Sequence, residues 1–243
     1  NMVQTWILRR DIDPIAAVRT GQDVSVCGNC PLRGFVETVK TSRDVIRGET
    51  RIEHSARYDR HNRGRMCYVN VGQAPLAVWR AYHRGAYTSY DREFHADLFF
   101  GRSVRFGSYG DPTAAPYALW RELTQYVDKW TGYTHSWRIG RFWRFRALLM
   151  ASCETTDDCR AAQLKGWRTF RTLPNVDALS DREFICPASD EGGKRTVCAN
   201  CRACNGQRGW VYDVEQIRRP SVAIVAHGSL PVVSNYRKRY EIG

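Results

Sequence analysis

The sequence predicts an α/β fold built on a mostly parallel sheet. From about residue 66 onward, apolar runs of strand length alternate with segments of helical periodicity. Such alternation implies right-handed βαβ crossovers and therefore parallel strand pairing. The residues that close the strand-like runs are polar, glycine-containing or metal-capable, whereas the strand bodies are plain. Function gathers at the C-terminal ends of strands in folds of this kind.

Taken in order, Pro75 to His83 reads as a helix and Ser103 to Gly107 as a strand that closes in Gly107-Ser108-Tyr109-Gly110-Asp111-Pro112. Ala114 to Trp130 places Leu119, Leu123, Tyr126 and Trp130 on one helical face, with Asp111 or Thr113 as N-cap and Gly132 as stop. Gly132 to His135 follows as a strand edge. Ala147 to Ala151 is a short apolar strand, and Thr156 to Gly166 a helix with a Thr cap, an acidic first turn and a Gly stop. Trp167 to Arg171 returns to strand. Phe184-Ile185 runs into a cysteine-rich loop, and Ser221 to Ala226 is the most apolar strand, closed by His227-Gly228. Residues 1–65 read as an N-terminal segment carrying Cys27, Cys30 and a basic loop, with Thr41 to Arg65 polar enough to be a surface loop; residues 66–243 read as the β/α unit.

Nine cysteines bear most of the chemical information. Cys186, Cys198, Cys201 and Cys204 are spaced C-x11-C-x2-C-x2-C among the turn formers Pro187, Asp190 to Gly193, Asn200 and Asn205-Gly206. Thiolates three residues apart in a turn converge on one centre, which is what a metal requires. Zinc with four cysteines usually shows two separated C-x2-C knuckles, so a single C-x2-C-x2-C run is closer to iron–sulfur spacing; both metals fit. Cys27 and Cys30 form a second C-x2-C pair, and with Cys67 they offer three thiolates and an open position, the logic of a site that binds something exchangeable. The alternative is a lone Cys27/Cys30 knuckle with Cys67 inert. Cys153 and Cys159, where a strand end meets a helix, read as core thiols. The odd cysteine count, with no signal peptide and no apolar run of membrane length, disfavours a disulfide scaffold and a membrane partner. These features place the chain in the cytoplasm.

The 243 residues carry 37 Lys and Arg against 25 Asp and Glu, a net charge of +12. Arginines next to aromatics, in Trp137-Arg138, Trp143-Arg144, Trp167-Arg168 and Tyr236-Arg237, suit a groove that neutralises phosphates and stacks bases. A nucleic-acid or nucleotide partner is the expectation.

The stretches Cys67 to Gly72, Val104 to Asp111, Tyr133 to Arg138, Ala151 to Thr155, Gly166 to Arg168, Cys186 to Cys204 and Ile224 to His227, in that order, resemble a group of phage-encoded radical S-adenosylmethionine-like proteins. The likeness covers roughly residues 66 to 228. It implies a partial (β/α) barrel with a [4Fe–4S] cluster at its mouth and S-adenosylmethionine bound beside it. Cys27, Cys30 and Cys67 would ligate three irons. Gly107, Tyr109, Gly110 and Asp111 would receive the methionine amine, and Ser136 and Arg138 the ribose or carboxylate. The Cys186–Cys204 loop would hold a second cluster. Members of that superfamily mostly carry the three cysteines in one C-x3-C-x2-C loop; here the third stands far along the chain. The implied activity is reductive cleavage of S-adenosylmethionine acting on a nucleotide or nucleic-acid base, in the host cytoplasm for a phage-encoded protein. Asp111, His135 and His227 are the candidates for proton handling. A non-catalytic nucleic-acid-binding protein stapled by zinc or clusters is the alternative.

Overall fold

The computed structural model describes residues 2–34, 64–201, 203–206 and 221–240. Seven strands form one sheet in the order β1-β2-β3-β4-β5-β7-β6, with every neighbouring pair parallel. The elements are β1 (Met2–Trp6), α1 (Pro14–Thr20), α2 (Val24–Cys27), α3 (Ala74–His83), α4 (Arg92–His95), β2 (Ser103–Tyr109), α5 (Tyr117–Leu123), β3 (Lys129–Thr134), β4 (Met150–Cys153), α6 (Thr156–Leu164), β5 (Thr169–Leu173), β6 (Glu183–Ile185), β7 (Ser221–Val225) and α7 (Leu230–Tyr240). The predicted α/β class with a parallel sheet is what the structure shows. One edge of the sheet is β1, from the N-terminal segment: Met2 pairs with Ser103 and Trp6 with Tyr109.

Strands added one after another through right-handed crossovers put their connections on one face of a sheet. The side chains divide accordingly. Val104 and Phe106 of β2, Ala151 and Cys153 of β4, Trp120 and Leu123 of α5 and Ala162 of α6 form the main core, with Phe106 and Trp120 rings 4.8 Å apart. The opposite set from the same pleat, Arg105, Gly107 and Tyr109, Tyr133, Ser152, Phe170 and Thr172, lines a cavity. Period-two alternation thus separates a dry packed face from a face that borders open space.

Two expected elements differ. The helix predicted over 114–130 is confined to Tyr117–Leu123, and Trp130 and Gly132 belong to β3. The helical face drawn through Tyr126 and Trp130 is a coincidence of spacing. Lys129–Thr134 fills the position between β2 and β4, pairing Val104 with Trp130, and the Trp130 indole donates to Leu148 O at 2.9 Å. The strand-like Tyr68-Val69-Asn70-Val71 has no regular structure, because Met66 and Cys67 spend their N–H groups on Leu32 O at 3.0 and 2.9 Å. The Thr41 to Arg65 stretch, expected as a surface loop, lies outside the described residues up to position 63.

Arg171 of β5 and Glu183 of β6 clip together two strands that are not neighbours. Arg171 Nε lies 2.7 Å from Glu183 Oε1, and both side chains are almost fully buried. Burial pushes the Glu183 carboxyl up, but hydrogen bonds and charge from Arg171, with the N–H and hydroxyl of Ser180, outweigh it and hold the group below its ordinary value. Glu183→Gln strands a buried guanidinium and is expected to cost about 3–5 kcal/mol at pH 7. A carboxyl whose folded value is depressed stabilises above its unfolded value, here 4.5, and loses that contribution as pH falls through the folded value. The gap between wild type and variant in urea melts is therefore expected to be full at pH 6–7 and to close below about pH 4. A gap independent of pH would show that the Arg171 pair is not its source.

Among the described residues, no helix is long and apolar enough to cross a membrane.

Candidate cysteine-lined active site

The cavity holds about 240 Å³ and opens at the C-terminal ends of the strands. Cys27, Cys30 and Cys67 line one end of it, and Cys186 and Cys198 line it as well.

Local chemistry brings Cys67 to the Cys27/Cys30 turn. The fully buried Asp23, just ahead of α2, lies 2.5 Å from Arg33 and 3.9 Å from Arg65. Arg65 also reaches Arg33 O at 3.4 Å. One carboxylate thereby ties the two cysteine-bearing segments together, and the backbone bonds of Met66 and Cys67 to Leu32 O complete the tie. The thiols sense one another: burial pushes Cys27 up, and Cys30 and Cys67 push it further. Burial also raises Cys67, opposed by Arg65 and reinforced by Cys30. No disulfide joins them.

At the strand ends the predicted residues take different parts. Asp111 is buried, and its carboxylate accepts from Thr113 N and Oγ1 at 2.9 and 2.8 Å, Thr134 Oγ1 at 2.8 Å and His135 N at 3.0 Å. All its lone pairs go to bracing the turns after β2 and β3, so its role in the structure is positional. Gly110 can only be glycine: its φ is 82°, and a Cβ there would lie 2.7 Å from Ile7 Cβ and 2.8 Å from Ile7 O. Gly107 and Tyr109 line the cavity with it.

His135 bridges the two chemistries. Its Nε2 is 2.7 Å from Glu154 Oε1, and the ring lies within electrostatic reach of Cys30. Burial lowers the imidazole, but Cys30 and Glu154 together hold it well above the ordinary histidine value. His227, after β7, stacks on Tyr68 at 4.8 Å with Nδ1 3.2 Å from Val225 O. A carbonyl only accepts, so Nδ1 is the donor in this contact.

Ser136 and Arg138 do not line the cavity. Ser136 Oγ sits 3.0 Å from Thr113 Oγ1 within the Asp111 network, while Arg138 pairs with Asp158 and lies 4.0 Å over the Trp137 ring on the outside. The aromatic–arginine pairs fail as a surface groove. Trp137, Trp167 and Tyr236 are core residues, and only Trp143 of that set is exposed.

The second cysteine loop lies elsewhere than expected. Ala199 O accepts from Ser103 Oγ, Cys204 O from Gly132 N at 3.2 Å, and Ala203 O and Gly206 O from Arg168 at 2.8 and 3.0 Å. These anchors sit at the starts of β2 and β5 and within β3. The loop folds back beneath the sheet, so the two thiol groups occupy opposite ends of the cavity rather than one rim. Gly192 permits the fold-back: a Cβ there would lie 2.0 Å from Cys186 O. Burial raises Cys186, with Cys198 and Cys201 adding to it, and Cys204 is pushed up to about 12 by burial, Cys186 and Cys201 against the Tyr133 hydroxyl. Cys153 and Cys159 are buried between β4 and α6, outside the cavity.

Among the described residues no three Cys, His, Asp or Glu side chains stand at metal-ligand spacing. Thiols are gathered without disulfides, and three polar atoms beside them, Tyr109 Oη, Arg65 Nη2 and Arg105 Nε, are buried without a hydrogen-bond partner.

Sequence reasoning missed Arg105 and placed Glu154 among the strand-end residues without giving it a role. Glu154 sits at the end of β4, where a polar strand-end residue was already visible. Arg105 was signalled only by its place between Val104 and Phe106, which forces it onto the opposite face.

No family model, curated protein or solved structure matches the chain.

Proposed function

We propose that the protein is a radical-S-adenosylmethionine-like iron–sulfur enzyme acting on a nucleotide or nucleic-acid base. The observation that carries the reading is a single cavity, at the C-terminal ends of parallel strands, lined by thiols from both cysteine groups together with Gly107, Tyr109 and Gly110. Cys27, Cys30 and Cys67 would hold one [4Fe–4S] cluster with an open position, and Cys186, Cys198, Cys201 and Cys204 a second. When bound, such a cluster supplies the electron for reductive cleavage of the sulfonium of S-adenosylmethionine.

The chain's own residues do the rest. Gly107 and Gly110 leave backbone uncovered at the cavity mouth on either side of Tyr109. Glu154 fixes the His135 ring against Cys30, keeping a positive charge beside the thiolates, where anionic sulfur benefits from it. His227 offers an imidazole at the rim. Arg105 and Tyr133 supply hydrogen-bond donors on the cavity floor, and Phe170 and Ile224 exclude water from its wall.

The test is anaerobic purification followed by iron, sulfide and zinc analysis. Brown protein with about four or eight irons per chain, whose reduced electron paramagnetic resonance spectrum changes on adding S-adenosylmethionine, is expected. Colourless protein that carries zinc would overturn the reading in favour of a stapled binding module.

A further inference from the structure

A groove separate from the cavity runs along the β1 edge of the sheet. It holds about 290 Å³ and is lined by Trp6, Arg9, Arg10, Trp79, Tyr82 and Tyr87. Its geometry is fixed from behind. Trp79 Nε1 donates to Arg9 O at 3.0 Å, His83 Nε2 lies 2.9 Å from Arg10 O, and the His83 ring packs 4.0 Å from Trp79 and edge-on to Tyr82. The aromatic surface is nevertheless accessible, with Tyr82 43% and Tyr87 53% exposed.

The charge beside the groove is predominantly basic: Arg9 and Arg10 line it, and Arg80 and Arg84 stand on and at the end of α3, outside its lining. Arg9 is bound to Asp11 with Nε at 2.9 Å, but Arg10, Arg80 and Arg84 enter no ion pair among the described residues, and α3 contains no acidic residue. Exposed aromatic faces beside uncompensated guanidinium groups match a chain of flat bases joined by phosphates. A peptide segment would use the apolar surface but leave the arginines unanswered.

The groove also adjoins the cavity. Trp6, which lines the groove, pairs in register with Tyr109, which lines the cavity. Adjacent strands lie about 5 Å apart, so the two sites share a wall.

We infer that this groove docks single-stranded nucleic acid, its bases stacked on Tyr82, Tyr87 and Trp79 and its phosphates on Arg10 in the groove and on Arg84 at the C-cap of α3 beyond it, so that a neighbouring nucleotide reaches the cavity mouth. The inference rests on the nucleic-acid half of the proposed function and not on its cluster chemistry.

Fluorescein-labelled dT12 and U12 titrated into the whole protein at 50 mM and 200 mM salt test it by anisotropy. Tyr82→Ala and Tyr87→Ala, both at exposed positions, are each expected to weaken binding about 5- to 100-fold. Arg10→Gln and Arg84→Gln are each expected to reduce the log–log salt slope by about 0.7. Circular dichroism melts matching wild type establish that the variants fold. Binding that persists in metal-depleted protein separates failure of the groove from failure of the iron–sulfur reading. Wild-type affinity in both tyrosine variants, equal affinity for a duplex of the same length, or no binding at 50 mM salt would overturn the assignment, the last leaving the groove to a protein partner.

Discussion

Serine at Cys27, Cys30 and Cys67 together is expected to take anaerobically purified protein from about eight irons to about four per chain and to abolish cleavage of S-adenosylmethionine. Serine at Cys186, Cys198, Cys201 and Cys204 is expected to remove the other four. The two variants should differ in stability. The N-terminal thiols sit on segments already joined by Asp23, Arg33 and Arg65 and by the backbone bonds to Leu32, so their loss should lower the melting temperature by only a few degrees. The second group lies in a loop that spans from β6 to β7 and folds back beneath the sheet, held at separate points by Ser103, Gly132 and Arg168. A metal that closes such a loop contributes directly to folding, and its removal should lower the melting temperature by roughly 10 °C or more. Iron analysis and calorimetry on the same samples check both halves. Retention of all iron by either variant would refute the assignment of that thiol set.

Asp111→Ala is the second large effect. The carboxylate accepts from Thr113, Thr134 and His135, and Thr134 is 1% exposed. Truncation leaves a buried hydroxyl and at least two backbone N–H groups without acceptors. Each costs about 1–3 kcal/mol, so a loss of about 3–5 kcal/mol is expected, or roughly 10 °C in melting temperature. Asp111→Asn should recover only part of this, because its amide group turns an NH2 toward donors. His135 N loses its anchor, so the ring should also drift from Cys30; the readout is a broadened His135 side-chain signal in nuclear magnetic resonance. A melting temperature within about 2 °C of wild type would show that the carboxylate is not the brace between the β2 and β3 turns.

The parts of the fold that were legible in the sequence are those where local and tertiary preferences agree. Ser221–Val225 is apolar on both faces because it is flanked by β5 and β6, and its run of branched residues says so. Thr156–Leu164 carries its own cap, Thr155 accepting from Asp158 N, and an acidic first turn. Lys129–Thr134 is different. Its helical spacing continued that of α5, and only the sheet position between β2 and β4 makes it a strand. The C-x2-C pair and the four-cysteine spacing marked both thiol groups, since ligand spacing is local. Their placement at opposite ends of one cavity was not readable, because it depends on Arg168, Ser103 and Gly132 reaching into the loop from far away in the chain. Arg105 went unnoticed for a related reason: a single polar residue within a strand gains meaning only once the pleat and its neighbours are known.

The last two strands enter the sheet out of turn. Among the described residues the backbone of β6 pairs with no strand but β7, and β7 begins at residue 221, later in the chain than the second group of cysteines. During synthesis on a ribosome, the segment at 183–185 therefore emerges before its one backbone-paired neighbour, and the thiol-bearing stretch follows it while that place in the sheet is still empty. Final docking of Ser221–Val225 into the gap beside β5 then seals that stretch in place. A nascent chain stalled before residue 221 should accordingly expose the four thiols to alkylating reagents, and one released after residue 240 should shield them.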